Sequence, residues 1–213
     1  NAMDFLSEDF VNGPQMIKNV HQKHAHFMIS IWASFGPQTQ QFRELNEKGL
    51  LLPIETWPQS GLSHIWPPRM DYPSGVKVYD AFSPVARDIY WKYLKKLSDY
   101  GTDAWWMDST DPDFFNPRES DYQHPVTGGT WRSLRNAFPL ETVRGIYQSQ
   151  RKDDRGKRIF IMTRSSFAGQ QHYGSNMWSG DVNSSWDMLR KQLPAGLSFS
   201  LTGNPNFNTD IRS

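Results

Sequence analysis

The amino-acid sequence predicts an α/β fold, read as part of a (β/α)8 TIM barrel with about five of its eight strands present. Three observations lead there. Short, continuously apolar runs of strand length alternate with amphipathic helices, the pattern of a parallel sheet covered by helices. Trp32, Asp108, Arg164 and Asp181 each fall at or just past the end of a different run, and barrel enzymes gather their chemistry on that rim. An open doubly wound sheet often carries a glycine-rich phosphate loop instead, and neither GxGxxG nor GxxxxGK[ST] occurs. At 213 residues with long loops, the chain falls short of the ~250 that a whole barrel takes.

Taken in order, residues 14 to 24 predict a helix, with Pro14 at its first position and Ile17 and Val20 on one face. Residues 27 to 32 (FMISIW) predict a buried strand. Residues 37 to 48 predict a second helix, closed by Gly49. Residues 50 to 80 hold five prolines and little periodicity, and predict a long excursion. Ser83-Pro84 caps a strong helix whose buried stripe is expected at Val85, Ile89, Tyr93 and Leu97, with Gly101 ending it. Residues 104 to 107 predict a strand that ends in Asp108. Residues 109 to 138 predict a second polar loop, and residues 140 to 151 a helix. Residues 158 to 163 (RIFIMT) predict a strand ending in Arg164, and residues 176 to 179 another, ahead of Gly180-Asp181. Ser184 or Ser185 caps a helix through Leu193, and residues 197 to 201 predict the fifth strand.

Composition narrows the function. A net charge of +1 with no basic block removes the electrostatic case for nucleic acid. No apolar run approaches the ~18 residues of a membrane span. With no cysteine, disulfides and thiolate sites are excluded. Nine Trp, 13 Phe and eight Tyr exceed the usual needs of a core this size. Flat rings with a polar edge suit the C–H faces of sugars, although a Trp-rich core accounts for the count equally well. Asn1-Ala2-Met3 reads as a cloning scar, leaving residues 4 to 213 as a fragment of one catalytic barrel. The compartment is not fixed by the sequence; a periplasmic or secreted parent is the expectation.

Two carboxylates carry the candidate chemistry. Asp108 stands in WWMDSTDPD, where Trp105 and Trp106 point to opposite faces, so one can line a pocket while the other packs outward. Asp181 stands in MWSGDV, where Gly180 permits close backbone approach and Trp178 is placed to wall a pocket. Such a wall would keep Asp181 protonated as an acid while Asp108 stays ionised as a nucleophile. Either Asp alone could equally be a helix cap after a βα turn. Arg164 ends an apolar strand, so it needs a partner: a sugar hydroxyl, an active-site carboxylate or a structural ion pair. Asp108, Asp111 and Asp113 miss the EF-hand spacing, so no metal or other cofactor is expected. His24-x-His26 precedes its strand and so would lie on the face opposite the catalytic rim, as a solvated helix end.

These residues resemble glycoside hydrolase family 31, retaining α-glycosidases that include α-glucosidases and α-xylosidases. The resemblance runs from about residue 14 to residue 211. WWMDSTDPD is similar to the family's nucleophile strand and implies Asp108 as nucleophile. RSSFAGQQHYGSNMWSGDV is similar to its next signature and implies Asp181 as acid/base, with Arg164 and Trp178 in the sugar site. ISIW implies Trp32 in the pocket, Trp106 joins it from the nucleophile strand, and GNPNFNTDI resembles a later strand motif around Asp210. Asp111 stands where the family more often has Glu, at a contact to a secondary sugar hydroxyl.

The resemblance thus implies a retaining α-glycosidase acting on terminal α-linked xylosyl or glucosyl units of an oligosaccharide or α-glycoside. The ISIW and WWMDS wording lies nearer bacterial α-xylosidase-like members. Early strands with a further substrate-binding Asp, and a late strand with a pocket His, would lie outside residues 4 to 213. The chain is therefore expected to be inactive alone, and its bare sheet edges to favour self-association or local rearrangement. A non-catalytic carbohydrate-binding fragment and a metal-dependent barrel hydrolase are the alternatives.

Overall fold

Residues 3–4, 10, 12–55, 75–111 and 118–210 are described by the structure, a computed structural model. In chain order the first half comprises α1 (Gly13–Gln22), β1 (Met28–Trp32), β2 (Ser34–Phe35), α2 (Gln40–Glu47), β3 (Leu51–Glu55), β4 (Lys77–Tyr79), α3 (Pro84–Asp99) and β5 (Ala104–Asp108). The second half adds α4 (Glu119–Tyr122), β6 (Pro125–Val126), β7 (Gly129–Thr130), α5 (Trp131–Leu134), α6 (Phe138–Asp153), β8 (Phe160–Thr163), β9 (Ser175–Trp178), α7 (Trp186–Leu201) and β10 (Phe207–Asn208).

Five strands form one parallel sheet in the order β1-β5-β8-β9-β10. Each strand lies beside the next one to join the sheet along the chain, as successive βα units of a barrel do. The architecture is a partial α/β barrel. Register fixes which side chains share a face. Ile31, Met107 and Thr163 align across β1, β5 and β8, and Trp32 aligns with Asp108. The first set is buried under the helices. Trp105 belongs to that outer face: it meets Trp91 of α3 edge-on at 6.4 Å and donates its indole N–H to Gln150 Oε1 of α6 at 2.9 Å. Full burial of such a side chain contributes roughly 1.5–3 kcal/mol, and the paired N–H avoids the cost of an orphaned donor.

Local signals behave as their chemistry dictates. Ser83 caps α3 through the Ala86 N–H, and Gly101 ends the turn that follows at φ +105°. The buried positions of α3 are Ala86, Ile89, Tyr90, Trp91, Leu94 and Leu97, whereas Val85 is exposed and Tyr93 half-buried. Of the stripe expected at 85, 89, 93 and 97, Ile89 and Leu97 are buried, whereas Val85 and Tyr93 give way to Tyr90, Trp91 and Leu94, which rotate the buried side toward the sheet. Residues 50 to 80 are also not simply an excursion. β3 and β4 join β2 in a three-stranded antiparallel sheet, while residues 56–74 lie outside the described residues.

The loop expected over 109–138 likewise folds α4, the hairpin β6–β7 and α5. The buried Asp80 carboxylate anchors that hairpin by accepting from the Thr127 N–H at 2.9 Å and hydroxyl at 2.6 Å. The largest correction falls at the end of the chain. Residues 197 to 201 are helical, not a strand, because α7 continues through Pro194; the fifth strand is β10. Phe199 of α7 meets Phe207 of β10 at 5.6 Å, a helix-on-strand contact, while Leu197 and Leu201 are exposed.

Candidate active site

The site forms where β1, β5, β8 and β9 end. Asp108 closes β5, and Ser109 behind it adopts a left-handed φ of 54° while donating its N–H to Asp108 Oδ1 at 2.8 Å. A side chain in that conformation costs roughly 1–2 kcal/mol, so the surroundings must hold it. They do: Ser109 and Thr110 are buried, and the Thr110 hydroxyl meets that of Ser165 at 3.1 Å. The turn after Asp108 is thereby tied to the turn after Arg164.

Arg164 is the hub. Its Nη1 lies 3.7 Å from Asp108 Oδ1 and 3.4 Å from Asp181 Oδ2, and its Nε lies 3.6 Å from Asp111 Oδ2. One guanidinium thus reaches three carboxylates from two segments of the chain, the turn after β5 and the turn after β9, which suits its planar fork of donors. Gly180, at φ +79°, passes so near that a β-carbon there would sit 3.4 Å from Arg164 Nε. Any side chain at 180 would meet both the strained backbone and the cation.

Indoles floor the space on the same face. Trp106 packs edge-on against Trp178 at 5.5 Å and 78°. Trp178 is buried, and its N–H has no hydrogen-bond partner among the described residues. Trp32 is exposed at the end of β1, in register with Asp108, and its carbonyl accepts from the Tyr90 hydroxyl at 2.8 Å. Beyond Asp181, a hollow of about 330 Å³ is lined by Val182, Asn183, Trp186, Thr209 and Asp210, among others.

The structure therefore brings Asp108, Asp111, Arg164 and Asp181 together around one cation, with Trp106, Trp178 and Trp32 on the same rim. The wall expected beside Asp181 is not formed among the described residues. That carboxyl is 78% exposed, because Trp178 turns toward Trp106 and the charged neighbour is Arg164. Asp113 lies outside the described residues, among which no three His, Asp or Glu side chains group to hold a metal. His21 and His26 instead face Asp103, at the opposite end of the sheet. Sequence reasoning passed over Gln170, Ser109 and Thr110, uncharged residues whose burial gives no signal in the chain itself.

A parallel sheet with helices outside it and an acidic, indole-lined rim defines an α/β-barrel protein whose site faces from the strand ends. The chain belongs to glycosyl hydrolase family 31: residues 1–212 match that family's TIM-barrel domain. It is similar to an α-xylosidase of Saccharolobus solfataricus, 34% identical over 99% of this chain and 26% of that protein. It is also similar to the lysosomal α-glucosidase of Mus musculus, 26% identical over 97% of this chain and 24% of that one. The crystal structure of an α-xylosidase from Xanthomonas citri superposes with a TM-score of 0.86, at 34% identity, over 99% of this chain and 23% of that chain. The chain thus spans about a quarter of the length of these relatives. Among the described residues no helix is long and apolar enough to cross a membrane.

Proposed function

We propose that this barrel segment belongs to a retaining α-glycosidase that removes terminal α-linked xylosyl or glucosyl units from an oligosaccharide or α-glycoside. The observation that carries this reading is that Asp108 and Asp181 share one guanidinium nitrogen. Their nearer oxygens cannot be farther apart than legs of 3.7 and 3.4 Å laid end to end. The ~5–5.5 Å of a retaining pair falls under that ceiling, and most of the ~6.5–9.5 Å of an inverting pair exceeds it.

On this reading Asp108 attacks the anomeric carbon and forms a glycosyl ester, while the leaving oxygen takes a proton from Asp181. Water then loses a proton to Asp181 and opens the ester, so both carboxyl groups return to their starting forms. Asp181 lies open in the free protein, where a leaving-group oxygen can reach it. Arg164 supplies the counter-charge for the nucleophile and holds the two carboxylates in one frame. Trp106 and Trp32 offer exposed rings for the sugar, Trp178 backs Trp106 from the buried side, and Asp111 supplies an acceptor for a hydroxyl. Xylose is preferred over glucose because both relatives at 34% identity are α-xylosidases. Excluding one hydroxymethyl group requires only about 1–3 kcal/mol.

The test is made on the full-length protein with aryl α-xyloside and α-glucoside. Asp108→Ala is expected to lower kcat by at least ~10³-fold. The first sugar released by the unaltered enzyme should carry the α configuration by NMR. Undiminished turnover by Asp108→Ala, or release of the β anomer, refutes the mechanism.

A further inference from the structure

Gln170 is wholly buried although it sits in a surface connection, the short 3₁₀ turn Gln170–Tyr173 that joins β8 to β9. Elsewhere in the sheet α3, α6 and α7 make the crossovers; here one turn does, and the polar groups of Thr163, Ser165 and Ser175 face it. Such groups need partners, and one amide side chain provides them. Gln170 Nε2 donates to Thr163 Oγ1 at 3.1 Å, to the Ser165 carbonyl at 3.0 Å and to Ser175 Oγ at 3.0 Å, while Oε1 accepts from the Phe167 N–H at 3.1 Å. The Thr163 hydroxyl itself donates to the Ser165 carbonyl at 2.7 Å.

These bonds clasp the chain on both sides of Arg164. Thr163 precedes it and Ser165 follows it, and Ser165 is also the residue that meets Thr110 beyond Asp108. Ser175 opens β9, the strand that leads to Asp181. A long, flexible arginine side chain keeps three carboxylates within 3.4–3.7 Å only if its backbone origin is fixed. We infer that Gln170 is a positioning residue for the glycosidase reaction. It acts through Arg164 by locking the 163–167 turn to β9, and so sets the spacing of the Asp108–Asp181 pair without touching substrate. This inference rests on the catalytic reading above, and its test separates the two.

In the full-length protein, Gln170→Met keeps the length of the side chain and removes the four bonds that Gln170 makes, leaving the Thr163–Ser165 bond in place. The expected result is a fall in kcat of about 10- to 100-fold with KM little changed, since a small misplacement of catalytic groups has effects of that order. In an Arg164→Ala background the same substitution should change kcat less than about threefold, because the two residues act as one unit. Amide hydrogen exchange should speed up over residues 163–170 and leave β1 and β5 at their original rates. Independent, multiplying losses of kcat, or exchange that rises across the whole sheet, would reduce Gln170 to a general stabiliser and overturn the inference. Should Gln170→Met fail to fold, Thr163→Val removes one acceptor of the clasp and should give a smaller effect of the same kind. If the unaltered enzyme cleaves no α-glycoside, the catalytic reading fails. The exchange measurement then still decides whether Gln170 holds the Arg164 turn.

Discussion

At the scale of single residues, the foot of the sheet is as charged as its rim. Asp103, just ahead of β5, accepts from the Phe27 N–H at 2.7 Å and meets His21 Nε2 at 2.7 Å, with Lys157 Nζ at 3.3 Å and His26 Nδ1 at 3.8 Å. Burial alone would raise its carboxyl, but the Phe27 N–H, the His21 ring and Lys157 outweigh it and hold it below the usual range. A carboxyl depressed in the fold contributes stability that is fully present above its unfolded value of about 3.9. That contribution disappears as pH falls through the folded value. Asp103→Asn is therefore expected to destabilise by about 1–3 kcal/mol at neutral pH, or roughly 2–4 °C of Tm per kcal/mol, with the deficit shrinking as pH falls below about 3.9. Thermal melts from pH 7 to 2 check this; a deficit that stays constant across that range would remove the electrostatic account. The partnership was not legible in the sequence, which places His24 and His26 on a solvated helix end, singles out no role for His21 and gives no hint that residue 103 lies beside it.

Among elements, the contact of α3 with α6 depends on one missing side chain. A β-carbon on Gly145 would meet Arg87 Cδ at 2.6 Å, Cγ at 2.9 Å and Cβ at 3.0 Å. Arg87 cannot swing away, because its Nη1 is held by the Ala81 carbonyl at 2.7 Å, the Phe82 carbonyl at 3.2 Å and Glu141 at 2.9 Å. Helix propensity would favour alanine there by about 1 kcal/mol, whereas overpacking costs about 1–3 kcal/mol. The clash wins, so Gly145→Ala should lower the denaturant midpoint; a raised midpoint would show that the helices can part. The strands most legible in the sequence were β1, β5, β8 and β9, whose apolar runs are bounded by charge or glycine. Residues 197–201 misled because Leu-Ser-Phe-Ser-Leu alternates with a period of two, while Pro194 advertises a break. The helix passes through Pro194 because Phe199 finds Phe207, a contact no local pattern announces.

For the whole molecule, the sequence placed the candidate residues at strand ends, but only register decides whether strand ends share a face. Trp32 opposite Asp108, and Trp106 against Trp178, follow from in-phase pairing across parallel strands that no single-chain pattern encodes. The same register leaves Met28, Trp32, Trp106 and Phe160 exposed on the face away from the helices. A second apolar surface runs down α7, where Trp186, Leu189, Leu193, Leu197 and Leu201 recur at helical spacing and α7 buries no residue. Leu193 and Leu197 are 65% and 71% exposed, far more than the sheet face, so α7 should dominate association. Apolar stripes of this kind seldom stay bare in solution. The 213-residue chain is accordingly expected to sediment as concentration-dependent species heavier than a monomer. Leu193→Lys with Leu197→Lys should shift it toward the monomer without loss of helical signal. A chain that is monomeric unaltered would show that the exposed stripe is tolerated. Association undiminished by the two lysines would move the contact to the sheet face or to the edges at β1 and β10, where unpaired backbone groups, not leucines, would hold the copies together.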